Sequence, residues 1–297
     1  MVRIYCVIAC YNNYKWIDTC LRSLLASSIP VNIIVVDDLS TDGSPEMIQE
    51  NYPEVDLILS ESNNGFSVAN NVGIEKAISA DAEYIFLLNM DARIEPDTIK
   101  TLVFIAEKNS DFGIISPMHV NDAGTALDFP FSTYIVPQKC PSLYSDLYLK
   151  KPKEIYPVER INAAAWFVKT EVFKKVGLFD TDLPMYGSDD NLADRVRYYG
   201  LQVGVAPGAR IYHDREFRSY EKKDVKNDLS AQRTRMRVTV LNPNLSAGSK
   251  LSLLIRKSMS DFLRNLEKAN ISGMFGNLRI LFTGFFYLIN NADRYKK

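Results

Sequence analysis

Long apolar runs are missing from this chain of 297 residues. None reaches the roughly 20 residues that a membrane-spanning helix needs. The opening stretch "MVRIYCVIACYNNYKW" is too short of apolar residues for a secretory leader and reads as a first strand. Cysteine is scarce, and Cys6, Cys10, Cys20 and Cys140 show no CxxC spacing, which argues against a zinc module or a disulfide scaffold. Three of the four fall in or beside the first strand and helix, where small buried thiols are common, so reduced cysteines and a cytoplasmic location are expected. Gly and Pro number 14 and 13, and no repeat or low-complexity tract occurs. Neither a Walker loop nor a GxGxxG pattern is present, so a bound diphosphate would lack a glycine cradle and need another neutralising group.

The net charge is −1, which gives no hint of nucleic-acid binding, but the average hides an asymmetry. Residues 1–219 carry 20 Lys/Arg against 30 Asp/Glu, whereas residues 220–297 carry 15 against 6. A basic tail on an acidic body points to an anionic partner for the tail, with a membrane surface as one candidate.

What is present is a rhythm. Ile4–Ala9, Val31–Val36, Val55–Leu59, Tyr84–Leu88 and Gly113–Ser116 read as strands, and between them apolar residues recur at helical spacing, as in Trp16, Cys20, Leu21 and Leu24. Strand alternating with helix predicts an α/β fold whose mostly parallel central sheet is flanked by helices. Such sheets bind ligands beyond the carboxyl ends of their strands. Residues 117–158, rich in proline and aromatics, break the rhythm, as functional or mobile connections do. Helical pattern returns near Asn191–Tyr199, followed by a short strand in "LQVGVAP". After Val240 a linker, "LNPNLSAGSK", leads to two amphipathic or apolar stretches. The expected division is 1–240 as one domain, in halves 1–116 and 117–240, and 241–297 as a basic helical extension.

Four polar clusters stand where ligands would bind. "IIVVDDLSTDGS" places Asp37 and Asp38 at a strand exit, and although Asp42–Gly43 suits a turn, two further acids exceed what a turn needs. "YIFLLNMDAR" delivers Asn89 and Asp91 to the exit of a buried strand, either as a turn or as ligands of Mg²⁺ or Mn²⁺, which take one or two protein carboxylates and fill their shell with phosphate oxygens and water. In "MYGSDDNLADR", Asp189 and Asp190 open a helix, where they serve as N-caps or as a base that takes a proton from an incoming hydroxyl. His213, in "ARIYHD", is one of only two histidines, either structural or a neutral imidazole completing a metal shell.

Together with "VIACYNNYKWIDTCLRSLL", "NNGFSVANNVGI" and "GLFDTDLPMYGSDDNLADRVRYYG", these blocks resemble glycosyltransferase family 2, with the GT-A fold, over about residues 2–215. "GFSVANN" and "LLNMD" look most like its bacterial rhamnosyltransferase-type members. The resemblance implies an inverting transfer from a nucleotide-sugar to a glycan or lipid-linked acceptor in cell-surface polysaccharide synthesis, with 1–116 as the nucleotide-binding half and 117–240 as the acceptor-binding and catalytic half. Asp37 and Asp38, with Asn64, Asn70 and Asn89, would contact the donor. Asp91 would bind the cation as the last residue of the D-x-D motif, helped by His213, and Asp189 would be the base. Three departures stand out: Asn89 replaces the first Asp of D-x-D, Ser188 replaces the Glu before the base, and Asn70 stands where other members carry an arginine. The extension, with a dozen nearly all-apolar residues in "LRILFTGFFYLI", would pack on the domain, on a second subunit or on the inner face of the membrane.

Overall fold

The structure is a computed structural model that describes residues 2–215, 229–291 and 293–295. Part of the 117–240 half and the first residues counted with the basic tail lie outside them. The first half runs β1 (Ile4–Cys10), α1 (Tyr14–Leu25), β2 (Asn32–Asp37), α2 (Ser44–Asn51), β3 (Asp56–Leu59), α3 (Phe66–Ser79) and β4 (Tyr84–Leu88). There follow β5 (Ala92–Ile94), α4 (Thr98–Lys108), β6 (Phe112–Asn121), α5 (Phe129–Ser132), α6 (Leu143–Tyr148), β7 (Tyr156–Val158), β8 (Ala165–Lys169), α7 (Thr170–Val176), α8 (Ser188–Tyr198) and β9 (Gln202–His213). The tail holds α9 (Leu229–Leu241), α10 (Ala247–Glu267) and α11 (Ile271–Asn291).

One sheet carries the strands in the order β3-β2-β1-β4-β8-β6-β9-β5, with β7 also on β9. Strands β3, β2, β1 and β4 are parallel, and β2 is the continuous apolar run expected of a strand buried on both faces. Beyond them the sheet is mixed: β8 runs antiparallel between β4 and β6, β6 and β9 are parallel, and β5 is antiparallel to β9. Strand β6 outruns its predicted end at Ser116 because a register shift between Pro117 and Met118 lets the chain continue past a proline that cannot donate to the ladder.

Side chains alternate between two cores. Ile4, Cys6, Ile8 and Cys10 of β1 pack with α1, α2 and α4 on one face, while Val7 packs with α3, α7 and α8 on the other. Helix α3 lies so close to the sheet that a Cβ at Gly73 would come within 2.4 Å of Val7 Cγ1. All four cysteines are buried and unpaired, and burial pushes the Cys10 thiol up to about 12, so these thiols stay protonated. In the tail, Met236, Val240, Leu254, Ile280 and Leu288 form a separate small core shared by α9, α10 and α11. The linker shrinks to residues 242–246, where Ser246 caps α10 by accepting from Ser249 N. Among the described residues no helix is long and apolar enough to cross a membrane.

Candidate active site

The carboxyl ends of β2, β1 and β4 form one rim. Asp37 ends β2 opposite Cys10, and β4 runs on to Asn89 and Asp91 on the other side of β1. Two loops are stitched together there. Asp42 accepts from Tyr14 N at 3.0 Å and from the Ser44 hydroxyl at 2.6 Å, which anchors the starts of α1 and α2 and makes Asp42 a turn residue. Asp37 differs: its Oδ2 accepts from Ser40 N at 2.9 Å, but its Oδ1 is buried with no partner among the described residues. A buried acceptor without a donor is costly unless a ligand supplies one.

Asp38 has both oxygens engaged, Oδ1 by Asn64 N at 3.0 Å and Oδ2 by Gly65 N at 2.7 Å. Asn64 turns its side-chain amide to Ser62, and Asn70 donates to Phe66 O inside its own helix. The "NNGFSVANN" block is therefore a hub. Gly65 has φ +85°, and a Cβ there would meet Pro184 O at 2.7 Å. The Asn71 side chain donates to Phe179 O and accepts from Phe179 N, both at 2.9 Å, so α3 clamps the loop that leads to α8. Asp38→Ala should accordingly lower stability by about 2 kcal/mol by stranding the Gly65 amide, read as a lower urea midpoint with unchanged slope.

The pairing of β5 with β9 sets Ala92 opposite His213 and brings Asp91 to the histidine, Nε2 to Oδ1 at 3.1 Å. Burial acts to raise the Asp91 carboxyl, but the hydrogen bond from His213 and the charges of His213 and Arg215 together hold it below its ordinary value. Behind His213 lie groups the sequence reading missed. Asp128 Oδ2 is 3.9 Å from His213 Nδ1, and Arg215 Nε reaches Asp128 Oδ1 at 3.2 Å. His119, fully buried, has its ring 6.2 Å from that of His213 and bonds Ser116 Oγ at 3.0 Å. Burial, aided by His213 and Arg215, keeps His119 neutral by pushing its pKa well down. The two histidines of a histidine-poor chain thus end side by side, with Asp128 completing a buried cluster of metal-ligand type. Their scarcity was the available signal.

Asp189 sits half-buried in the first turn of α8. Its carboxylate accepts from Asp190 N at 2.9 Å and from the amide of Ala163, while the neighbouring Ala164 carbonyl accepts from Asn89 N at 2.9 Å. Residues 163–164 thereby join the base candidate to the Asn89–Asp91 exit. Burial and then the Asp190 charge push Asp189 up to about 6. Asp190 faces Arg160 at 3.7 Å, and Arg160 forks onto buried Asp194 at 3.0 and 2.5 Å. Tyr134 has its phenol pushed up by burial and by Asp189 and Asp190, against a lowering by Arg215 and Arg160.

The profile of glycosyl transferase family 2 matches residues 5–176, more than half of the chain. The chain belongs to glycosyltransferase family 2. It is therefore a transferase by family, and relatives named as rhamnosyltransferases agree with its motif style. The N-acetylglucosaminyl-diphospho-decaprenol L-rhamnosyltransferase of Mycobacterium tuberculosis is 26% identical over 235 residues, covering 70% of this chain and 74% of that protein. The poly(ribitol-phosphate) beta-N-acetylglucosaminyltransferase TarS of Staphylococcus aureus is 28% identical over 131 residues, 42% of this chain and 22% of that protein. Among solved structures, S. aureus TarS 1–349 in complex with UDP-GlcNAc superposes with a TM-score of 0.60 at 15% identity, covering 98% of this chain and 89% of that one. The Pyrobaculum calidifontis mannosyltransferase PcManGT, in complex with GDP-Man and Mn²⁺, gives 0.58 at 18%, covering 99% and 81%. These likenesses establish the GT-A fold.

Proposed function

We propose that this family 2 member is an inverting, metal-dependent transferase that moves a sugar from a nucleotide-diphosphate donor to a hydroxyl of a glycan or lipid-linked acceptor in cell-surface polysaccharide synthesis. The observation that carries this reading is the Asp91–His213 pair, 3.1 Å apart, with Asp189 tied to the same rim through residues 163–164. The decaprenol rhamnosyltransferase relative favours dTDP-rhamnose as donor, and the likeness to TarS keeps UDP-hexoses in view.

A carboxylate and an imidazole, with the Asn89 amide nearby, form an oxygen and nitrogen donor set that suits Mn²⁺ or Mg²⁺. Asp91 and His213 would hold the cation, which supplies positive charge for the departing diphosphate. To offer the Nε2 lone pair, His213 must carry its proton on Nδ1. Here Arg215 Nε donates to Nδ1 at 3.4 Å and Asp128 Oδ2 stands 3.9 Å away, so Asp128 would accept from a protonated Nδ1, and orient the ring, once Arg215 turns wholly to Asp128. Asp37 Oδ1 receives a donor from the base or ribose of the nucleotide. Asp189 accepts the proton of the acceptor hydroxyl as its oxygen bonds to the anomeric carbon and the carbon–oxygen bond to the diphosphate breaks. A single displacement inverts the configuration. Asp190, held by Arg160, is the poorer base.

The test is turnover across a panel of nucleotide-sugars with Mn²⁺ or Mg²⁺, comparing wild type with Asp189→Asn. Metal-dependent use of one donor, lost in the variant, supports the reading. Donor binding with no turnover on soluble or lipid-linked acceptors would favour a silent nucleotide-sugar-binding or scaffolding member instead. Asp128→Asn should weaken Mn²⁺ binding by about tenfold or more, measured by titration of the metal with nucleoside diphosphate present.

A further inference from the structure

Helix α11 exposes a row of large apolar side chains on one face. Ile271, Phe275, Phe282, Phe285, Phe286 and Ile289 are each between 45% and 69% exposed. At 100° per residue they fall within a sector of about 100°, on the side opposite buried Asn277, Ile280, Gly284 and Leu288. The helix cannot simply roll to hide this face. Asn265 Nδ2 donates to Asn277 Oδ1 at 2.6 Å and Asn277 Nδ2 to Gln232 Oε1 at 2.5 Å, so a buried amide chain across α10, α11 and α9 fixes its rotation. Helix α10 adds a second exposed row, Ile255, Met259, Leu263 and Leu266, flanked by Arg256, Arg264 and Glu267. An apolar display of this extent is rare on a free surface.

We propose that α10 and α11 rest in the plane of an anionic lipid bilayer. Two observations favour lipid over a second copy of the chain. Helix α11 holds no acidic residue and a single Arg279, so its row has none of the paired charges that set partner and register in helix–helix docking, and four of the six exposed residues are phenylalanine. The charge also matches: α10 and α11 carry five Lys/Arg against two Asp/Glu, which draws them to anionic headgroups, while the acidic body is repelled. Apolar insertion plus basic attraction is the combination that holds in-plane helices at an interface.

The opposite side of the same helix region grips the loop ahead of α8. Tyr287 donates to Asp182 at 3.0 Å, Arg294 pairs with Asp182 at 2.5 Å, Tyr295 bonds Asp180, and Arg237 donates to Asp182 O at 2.7 Å. A bilayer under α10 and α11 would thus sit one helix away from the loop that delivers Asp189. This second half rests on the transferase reading, whereas the docking itself does not.

The test uses the full chain, without donor or acceptor, sedimented with phosphatidylcholine vesicles or with vesicles of phosphatidylcholine and about one-third phosphatidylglycerol. Wild type should partition at least tenfold more onto the anionic vesicles, and 0.5 M NaCl should reduce that binding several-fold. Phe282→Ser combined with Phe286→Ser should lower anionic-vesicle binding at least tenfold with an unchanged circular dichroism spectrum. Wild type left in the supernatant would overturn the proposal, as would undiminished binding by the double variant. Light scattering that shows a dimer split by the same substitutions would also overturn it, assigning the row to self-association. None of these readouts needs turnover, so a failed docking and a failed transferase assignment remain distinguishable.

Discussion

Asp91→Asn is expected to lower kcat/KM by about a thousandfold while leaving the fold intact, on the scale seen when one group that stabilises developing charge is removed. The substitution is nearly isosteric. An amide oxygen at this position can still accept from His213 Nε2, which now lies 3.1 Å away, so the β5–β9 edge keeps its contact. What disappears is the negative charge. Asn89 already supplies an amide where the family carries its first aspartate, so the exit of β4 would be left with no carboxylate for a cation. Paired titrations check this: nucleoside diphosphate should bind wild type more tightly with Mn²⁺ than without, and the variant should show no such difference. A loss of less than tenfold in turnover, with the Mn²⁺ enhancement intact, would remove Asp91 from the metal site.

That Asp91 could be singled out at all reflects a local signal, five buried apolar residues followed at once by polar ones. The same holds for the parallel half of the sheet, because a strand buried on both faces is apolar throughout and its helices show their own period. The second half was harder to read for a physical reason. Strand β8 enters between β4 and β6 in antiparallel sense, and nothing in "AAAWFVK" distinguishes that from a parallel insertion. Strand β6 hides its length behind Pro117, since a bulge is a property of two strands together.

The candidate site divides in the same way. Asp37, Asp91, Asp189 and His213 each sit at the end of a legible element. Asp128, His119 and Arg215 act only through register, His119 opposite Ile211 and Asn121 opposite His213 on β6 and β9, which is invisible until the strands are paired. Asp38 has a structural role that the sequence does not display: its oxygens accept from two backbone amides 26 and 27 residues away.

Asp189→Asn should separate chemistry from stability by moving them in opposite directions. Turnover should fall by about 10²–10⁴, the range of a positioned general base, because the amide cannot accept the hydroxyl proton. In wild type, kcat/KM should decline as pH falls below about 6, where burial and Asp190 have placed the Asp189 carboxyl. Stability follows from the same shift. The folded state holds this proton more tightly than the unfolded chain does, so ionising Asp189 costs folding free energy, with the penalty complete above about pH 6 and absent below the ordinary carboxylate range. The substitution removes that penalty at pH 7–8. The gain is about 1 kcal/mol once solvent screening of a half-buried group is allowed for, seen as a higher melting temperature that converges on wild type near pH 4. Asp190→Asn makes the contrast. It leaves Arg160 its fork onto Asp194, so turnover should persist at a reduced level, and with the neighbouring charge gone the acid limb of the wild-type profile should move to lower pH. If Asp190→Asn abolished turnover and Asp189→Asn spared it, the roles of the two acids would be exchanged. The residue facing Arg160 would then be the base, and the raised pKa of Asp189 would be only a cost of burying two carboxylates side by side.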